Sequence, residues 1–179
     1  MLKWLLVAVV LGLVVLLWRI TAAAKANLPR VGDIAPEFDL PDQNGAPRSS
    51  GEFRGRWLVL YFYPKDDTPG CTEQAAHFRD TMSEIEALGA SVCGVSVDDS
   101  ASHAAFARKH NLPFALLADA RGGVAARYGS LVNLGVFRFA RRNTFLVDPQ
   151  GRIARMYLGV NPARNAGDVM NDLRQLKPA

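Results

Sequence analysis

Cysteine is nearly absent from this 179-residue chain, which holds Cys71 and Cys93 and no other thiol. Two cysteines exclude a disulfide scaffold and a four-cysteine metal site. Histidine is almost as scarce. His77, His103 and His110 lack the spacing of a zinc motif and have no cysteine cluster beside them. All three fall in segments that read as helices, so solvated or core-edge side chains are expected of them, and neither a metal nor a cofactor is expected. Acidic residues are missing from the start of the chain: Lys3, Arg19 and Lys25 precede Asn27, and no Asp or Glu does. Without those three, the 21 basic and 17 acidic residues nearly balance, so the high pI belongs largely to the leader. The short cluster Arg138, Arg141, Arg142 does not make the concentrated basic face of a nucleic-acid binder. Internal repeats are also lacking. What remains, 49% hydrophobic and 21% charged, suits one globular domain with a real core.

Charge is also absent from residues 4–18, WLLVAVVLGLVVLLW. Such a run lies between a signal-peptide core and the roughly 20 residues of a comfortable membrane span. Lys3 and Arg19 can snorkel, and Trp4 and Trp18 sit where interfacial aromatics would. Residues 1–20 are therefore expected to be a transmembrane anchor or signal segment, 21–30 a linker, and 31–179 the folded domain. An inner-membrane anchor with a periplasmic body is the preferred reading. The alternative is cleavage after Ala24-Lys25-Ala26 and a soluble periplasmic protein.

The body alternates between the two periodicities. Residues 38–40 read as a short strand followed by the turn residues Asp42, Gln43, Asn44 and Gly45. The apolar run 57–63 (WLVLYFY) reads as a strand buried on both faces. A loop at 64–70 precedes a helix at 71–88, with Ala75, Phe78, Met82, Ile85 and Leu88 on one face and Gly89 at its end. A second buried strand at 91–97, a helix at 101–110 capped from 98–100, a strand at 114–118 and a short helix at 124–128 follow. A hairpin pairs 143–147 with 152–157 around Asp148-Pro149-Gln150-Gly151, and a helix at 165–176 closes the chain. This order predicts an α/β fold: a mixed sheet, part parallel with an antiparallel edge, flanked by helices.

The stretch YFYPKDDTPGCTEQ, residues 61–74, carries the chemistry. It leaves a buried strand and opens a helix, which puts Cys71 in the first turn. There the free N–H groups and the dipole favour a thiolate. Gly70 allows close approach of a small ligand to the backbone, Pro64 and Pro69 restrict the loop, and the Thr68 hydroxyl lies within plausible reach of the sulfur.

Pro64-x-x-x-Thr68-x-x-Cys71 resembles the active-site signature of the peroxiredoxins, and the surrounding residues are similar to the Q-type, or bacterioferritin comigratory protein, branch. The similarity runs over about residues 30–175 and includes GVSVD at 94–98 and RNTFLVD at 142–148. The resemblance implies a thioredoxin-like fold and a peroxidase in which Cys71 attacks a hydroperoxide and becomes a sulfenic acid. It further implies that Thr68 hydrogen-bonds the reacting atoms, that Arg142 rather than Arg141 stabilises their charge, and that the Gly70 and Cys71 N–H groups hold the peroxide. Pro64 and Gln74 complete the implied substrate site, Gln74 standing where the family often has Glu or Gln. The implied partners are a hydroperoxide and an external thiol reductant of the thioredoxin or glutaredoxin kind.

The chain departs from the family at Ala76, where many Q-type members carry a resolving cysteine, and Cys93 lies in an apolar strand. A one-cysteine peroxidase is expected. A membrane-tethered thiol-disulfide oxidoreductase on the same fold is the alternative, but it needs a second nearby thiol, and Gln74 stands at the C-x-x-C spacing. A non-enzymatic binding module finds no positive support in the sequence.

Overall fold

A computed structural model of the chain describes residues 27–176, together with residues 3, 4, 7 and 10–12, which are helical. Among the described residues no helix is long and apolar enough to cross a membrane. The greater part of the 4–18 run, and with it the expected anchor, lies outside the described residues, as does most of the linker.

After an antiparallel ribbon of β1 (Asp39–Pro41) and β2 (Pro47–Ser49), a 3-10 turn at Ser50–Phe53 leads into β3 (Trp57–Phe62). Helices α1 (Pro69–Asp80) and α2 (Met82–Ala87) precede β4 (Ala90–Ser96), α3 (Ser100–His110), β5 (Ala115–Ala118) and α4 (Gly123–Arg127). A second ribbon, β6 (Leu131–Asn133) with β7 (Arg138–Ala140), is followed by β8 (Thr144–Val147), β9 (Ile153–Tyr157) and α5 (Pro162–Leu176). The central sheet has the order β5-β4-β3-β8-β9, parallel through β5, β4 and β3 and antiparallel through β8 and β9. This is the mixed sheet expected from the sequence.

The alternation of β3 divides the core in two. Val59 and Tyr61 face a layer with Phe78, Ile85, Val169 and Leu173. Leu58, Leu60 and Phe62 face the other, with Cys93, Tyr128 and Phe145. Tyr61 stacks on Tyr63 and Phe78 at 5.5 and 4.9 Å between ring centroids, joining β3 to the helix that carries Cys71. Gly94 makes room for that ring: a β-carbon there would stand 2.7 Å from the phenol of Tyr61 and 2.9 Å from Leu116.

The helix expected at 71–88 is two helices. The break falls at Thr81, whose backbone leaves helical geometry at φ −102° and ψ 5° while its hydroxyl donates to the carbonyls of His77 at 2.7 Å and Phe78 at 3.4 Å, a side-chain bond that bends a helix. The first of the two begins before Cys71, because Thr68 takes the cap position and Pro69 the first turn, where a missing N–H costs nothing. The last helix likewise begins at Pro162, with Asn161 Oδ1 accepting from the Ala163 N–H at 3.0 Å. Strands β2, β6 and β7 are three residues each, too short to leave a period in the sequence. His103 corrects the expectation of a solvated or core-edge side chain. It is fully buried, because Asp66, Tyr63 and Ser102 build a polar pocket around one end of α3.

Candidate active site

Cys71 is the third residue of α1, 1% exposed, at the point where β3 delivers the chain into the loop 63–68. Its Sγ accepts a hydrogen bond from Arg142 Nη2 at 3.3 Å. Arg142 Nη1 donates to Gln74 Oε1 at 2.7 Å and to the Gly70 carbonyl at 3.3 Å, so the fork of the guanidinium is aimed by the helix it faces. Gln74 is fully buried and donates from Nε2 to Asn165 Oδ1 at 2.8 Å, where the Thr144 hydroxyl also donates at 2.7 Å. One chain of contacts therefore runs from the sulfur through Arg142 and Gln74 to Asn165 on α5 and Thr144 on β8. Asn165 Nδ2 is buried without a partner.

Arg142 lies in the bend two residues before Thr144, the first residue of β8, and both side chains join the network against α1. Arg141 lines the same cleft but makes no hydrogen bond to the sulfur among the described residues. Its backbone N–H donates to the Ser130 carbonyl at 2.6 Å, and its Nε is buried without a partner.

The remaining sequence candidates divide. Pro64 lines an open cleft of about 790 Å³ together with Arg142, Asn143, Leu158 and Phe139, a volume far beyond that of a water-sized peroxide. Gly70 serves Arg142. A β-carbon on it would lie 3.3 Å from Nη2 and 3.4 Å from Pro162 Cγ, so the space it leaves is filled by the guanidinium. Gln74 lies beneath Arg142, sealed from the cleft. The Thr68 hydroxyl donates to the Lys65 carbonyl at 3.0 Å and makes no hydrogen bond to Sγ. The Thr68 carbonyl accepts from the N–H groups of Cys71 at 3.0 Å and Thr72 at 2.9 Å, which occupies the Cys71 N–H. The Gly70 N–H has no backbone acceptor among the described residues.

The far side of the loop is tied down by residues that carry no motif of their own. Asp66 accepts from the Tyr63 hydroxyl at 2.7 Å and the Ser102 hydroxyl at 2.7 Å, and bonds His103 Nδ1 at 2.8 Å. Its backbone N–H donates to Asp98 Oδ2 at 2.9 Å, which also accepts from Ser96 Oγ at 2.6 Å. Burial pushes the Asp66 carboxyl up, but His103, Ser102 and Tyr63 together hold it below the ordinary aspartate value. Asp66, Asp98 and His103 lie close enough to ligate an ion. The carboxylate oxygens that face the group already accept from O–H and N–H donors, the pattern of a tether. Asp67, at a positive φ of 59°, meets Lys109 Nζ at 2.6 Å and His110 Nε2 at 2.8 Å. Sequence reasoning missed Asn165, Thr144 and this tether. Only the alternation of β8 pointed at Thr144, and nothing in spacing pointed at Asn165.

Cys93 belongs to the other layer, opposite Leu60 in the β3–β4 pairing, so the sheet separates it from Cys71. Burial pushes its thiol up to about 12.

The AhpC/TSA family model matches residues 31–156. The peroxiredoxin bcp of Coxiella burnetii is 40% identical over 147 residues, which are 80% of this chain and 97% of that protein. The chloroplastic peroxiredoxin Q of Triticum aestivum is 40% identical over 146 residues, 81% of this chain and 67% of the relative. The crystal structure of the peroxidoxin BcpB from Mycobacterium tuberculosis superposes with a TM-score of 0.80 at 34% identity, covering 83% of this chain and 99% of the other. A cysteine-to-serine mutant of PrxQ from Xylella fastidiosa gives 0.76 at 28% identity over 82% and 96%.

Proposed function

The chain belongs to the AhpC/TSA family, in its peroxiredoxin Q and bacterioferritin comigratory protein branch, and is a thiol-dependent peroxidase of thioredoxin-like fold; on that premise we propose that Cys71 is its peroxidatic residue and acts without a resolving partner. The Cys71 thiolate attacks one oxygen of the hydroperoxide. The O–O bond breaks, that oxygen stays on sulfur as a sulfenic acid, and the other leaves with a proton as water or an alcohol. The sulfur is oxidised by two electrons and the peroxide reduced by two. An external thiol then condenses with the sulfenic acid, releasing water and forming a mixed disulfide, and a second thiol frees Cys71. A thioredoxin- or glutaredoxin-type dithiol fits this last role.

Arg142 is the group that meets developing negative charge. Its Nη2 donor faces the sulfur at 3.3 Å in a site shielded from water, where a fixed dipole or charge acts strongly. That contact is the single observation on which the assignment rests. Gln74, Asn165 and Thr144 hold the guanidinium in place. The Gly70 N–H supplies a free donor at the helix end, while the Thr68 hydroxyl turns from the Lys65 carbonyl toward bound peroxide. Pro64 walls the approach.

Cys71→Ser abolishes peroxide consumption in purified protein with dithiothreitol as reductant; turnover at the parent rate by this variant would remove the assignment. Mass spectrometry after one equivalent of peroxide is expected to find sulfenic acid or a mixed adduct at Cys71 and no Cys71–Cys93 bond.

The uncharged run at 4–18 supports attachment of the domain to a membrane, with the body on the periplasmic side of the inner membrane. Carbonate extraction of cell membranes, with mass spectrometry of the N-terminus, distinguishes an anchored chain from one cleaved after Ala26.

A further inference from the structure

Five of the seven large hydrophobic residues exposed between residues 27 and 176 gather at one place, the β6–β7 ribbon and the cleft beside it. At the ribbon's tip Val136 is 93% exposed, Phe137 73% and Leu134 46%. Phe139, paired with Val132 across the ribbon, and Leu158 line the cleft that Pro64 and Arg142 also line. A soluble domain seldom concentrates its exposed aromatic and aliphatic side chains on one loop without a partner for them.

Two further observations select the partner. The segment that carries the ribbon has charge of one sign along the chain. Residues 120–147 contain five arginines, 121, 127, 138, 141 and 142, and no aspartate or glutamate. Arg138 leaves the ribbon beside the tip and donates to the Arg121 carbonyl at 3.3 Å, which places both basic residues at this end of the molecule. The second observation is where the chain enters the fold. Leu28, at the start of the continuously described chain, lines the same cleft. The uncharged run ends at Trp18, and the ten residue steps from it to Leu28 reach at most about 35 Å when fully extended. A membrane that holds the run therefore lies within that distance of the cleft.

We propose that the β6–β7 ribbon is a membrane-docking element: its apolar tip enters the interface of an anionic bilayer, Arg138 and the neighbouring Arg121 meet the lipid phosphates, and the cleft beside Arg142 faces the lipid surface. Apolar residues flanked by basic ones are what an interfacial segment needs, since burial of the tip and attraction to anionic headgroups add. The proposal rests on the membrane attachment argued above, and it goes further. A tether alone leaves the domain free to tumble, whereas docking fixes which face it turns to the bilayer.

The test uses the full-length chain reconstituted into vesicles of phosphatidylcholine with phosphatidylglycerol, and a Phe137→Trp variant beside the parent. Brominated acyl chains are expected to quench the added tryptophan, read as the emission of the variant less that of the parent, at least twofold in the anionic vesicles and less in pure phosphatidylcholine. A second variant, Val136→Asp with Phe137→Asp, should reduce a phospholipid hydroperoxide carried in the same bilayer at least tenfold more slowly than the parent, with hydrogen peroxide turnover unchanged. Membrane-bound protein whose added tryptophan is not quenched overturns docking and leaves the attachment standing. Protein that neither resists carbonate nor sediments with anionic vesicles overturns both. Loss of hydrogen peroxide turnover in the parent is a failure of the peroxidase assignment instead. If the double variant slows only re-reduction by a protein dithiol, or only dissociates a dimer, the ribbon is a protein-docking surface and the proposal falls.

Discussion

In the proposed mechanism Arg142 carries more of the chemistry than any residue besides Cys71, and its usefulness depends on geometry as well as charge. The fork meets three acceptors, Sγ, Gln74 Oε1 and the Gly70 carbonyl, which a lysine ammonium cannot reproduce from one position. Arg142→Lys is expected to slow sulfenic acid formation by about a hundredfold, the scale of removing one preorganised donor; stopped-flow tryptophan fluorescence reads the rate. Gln74 acts through Arg142. Gln74→Ala should slow the same step by about tenfold, at the low end of what misplacing a catalytic group costs. Gln74→Glu retains most of the rate, since a carboxylate still accepts from Nη1 and Asn165 can turn its unpartnered Nδ2 toward the second oxygen. A merely structural Gln74 would not distinguish the two variants. Cys93 is predicted to be a spectator. With its thiol pushed up to about 12 and the sheet between it and Cys71, Cys93→Ala should leave peroxide turnover unchanged over repeated cycles.

At the scale of elements, the loop 63–68 is held from two sides. Its N-terminal end continues the aromatic stack of β3, and its middle is tied to α3 by Asp66 and Asp67. The Asp66 carboxyl, held below its ordinary value, binds fewer protons folded than unfolded. Its contribution is therefore present above the ordinary aspartate range and is lost as pH falls through the lower folded value. Asp66→Asn is expected to lower stability by about 2 kcal/mol at neutral pH, as for a buried hydrogen bond to a charged group, and to flatten stability against pH on the acid side. Denaturant melts across that range check both. In β4, Gly94 lies under the Tyr61 ring. Gly94→Ala should cost about 1–3 kcal/mol by overpacking and loosen the stack that supports the loop.

For the whole molecule, the sheet partitions function. One layer buries Cys71 with Tyr61, Phe78 and the helices α1 and α5; the other buries Cys93. The Q-type resolving position is Ala76, on the same helix as Cys71 but without a thiol. On the proposed assignment, oxidation is confined to one sulfur and every turnover needs a reductant from outside. The cleft beside Arg142 is also lined by Leu28, so the proposed membrane attachment and the proposed site concern one side of the domain.

The local pattern by itself determined, to within a residue at either end, the strands read at 57–63 and 91–97, together with the hairpin of β8 and β9 and the placement of Cys71 in the first turn of a helix. Each depends on neighbouring residues: an apolar run, turn chemistry, a proline and a glycine before a helix. That Arg142 would meet Cys71 was legible because the loop signature and the arginine before the late strand are read together. Only the tertiary structure decided what surrounds them. Asn165 lies 91 residues from Gln74, and Asp66 lies 37 from His103, yet each pair shares a buried hydrogen bond. Long-range polar partners leave no period in a sequence, because burial, rather than spacing, is what obliges them to meet.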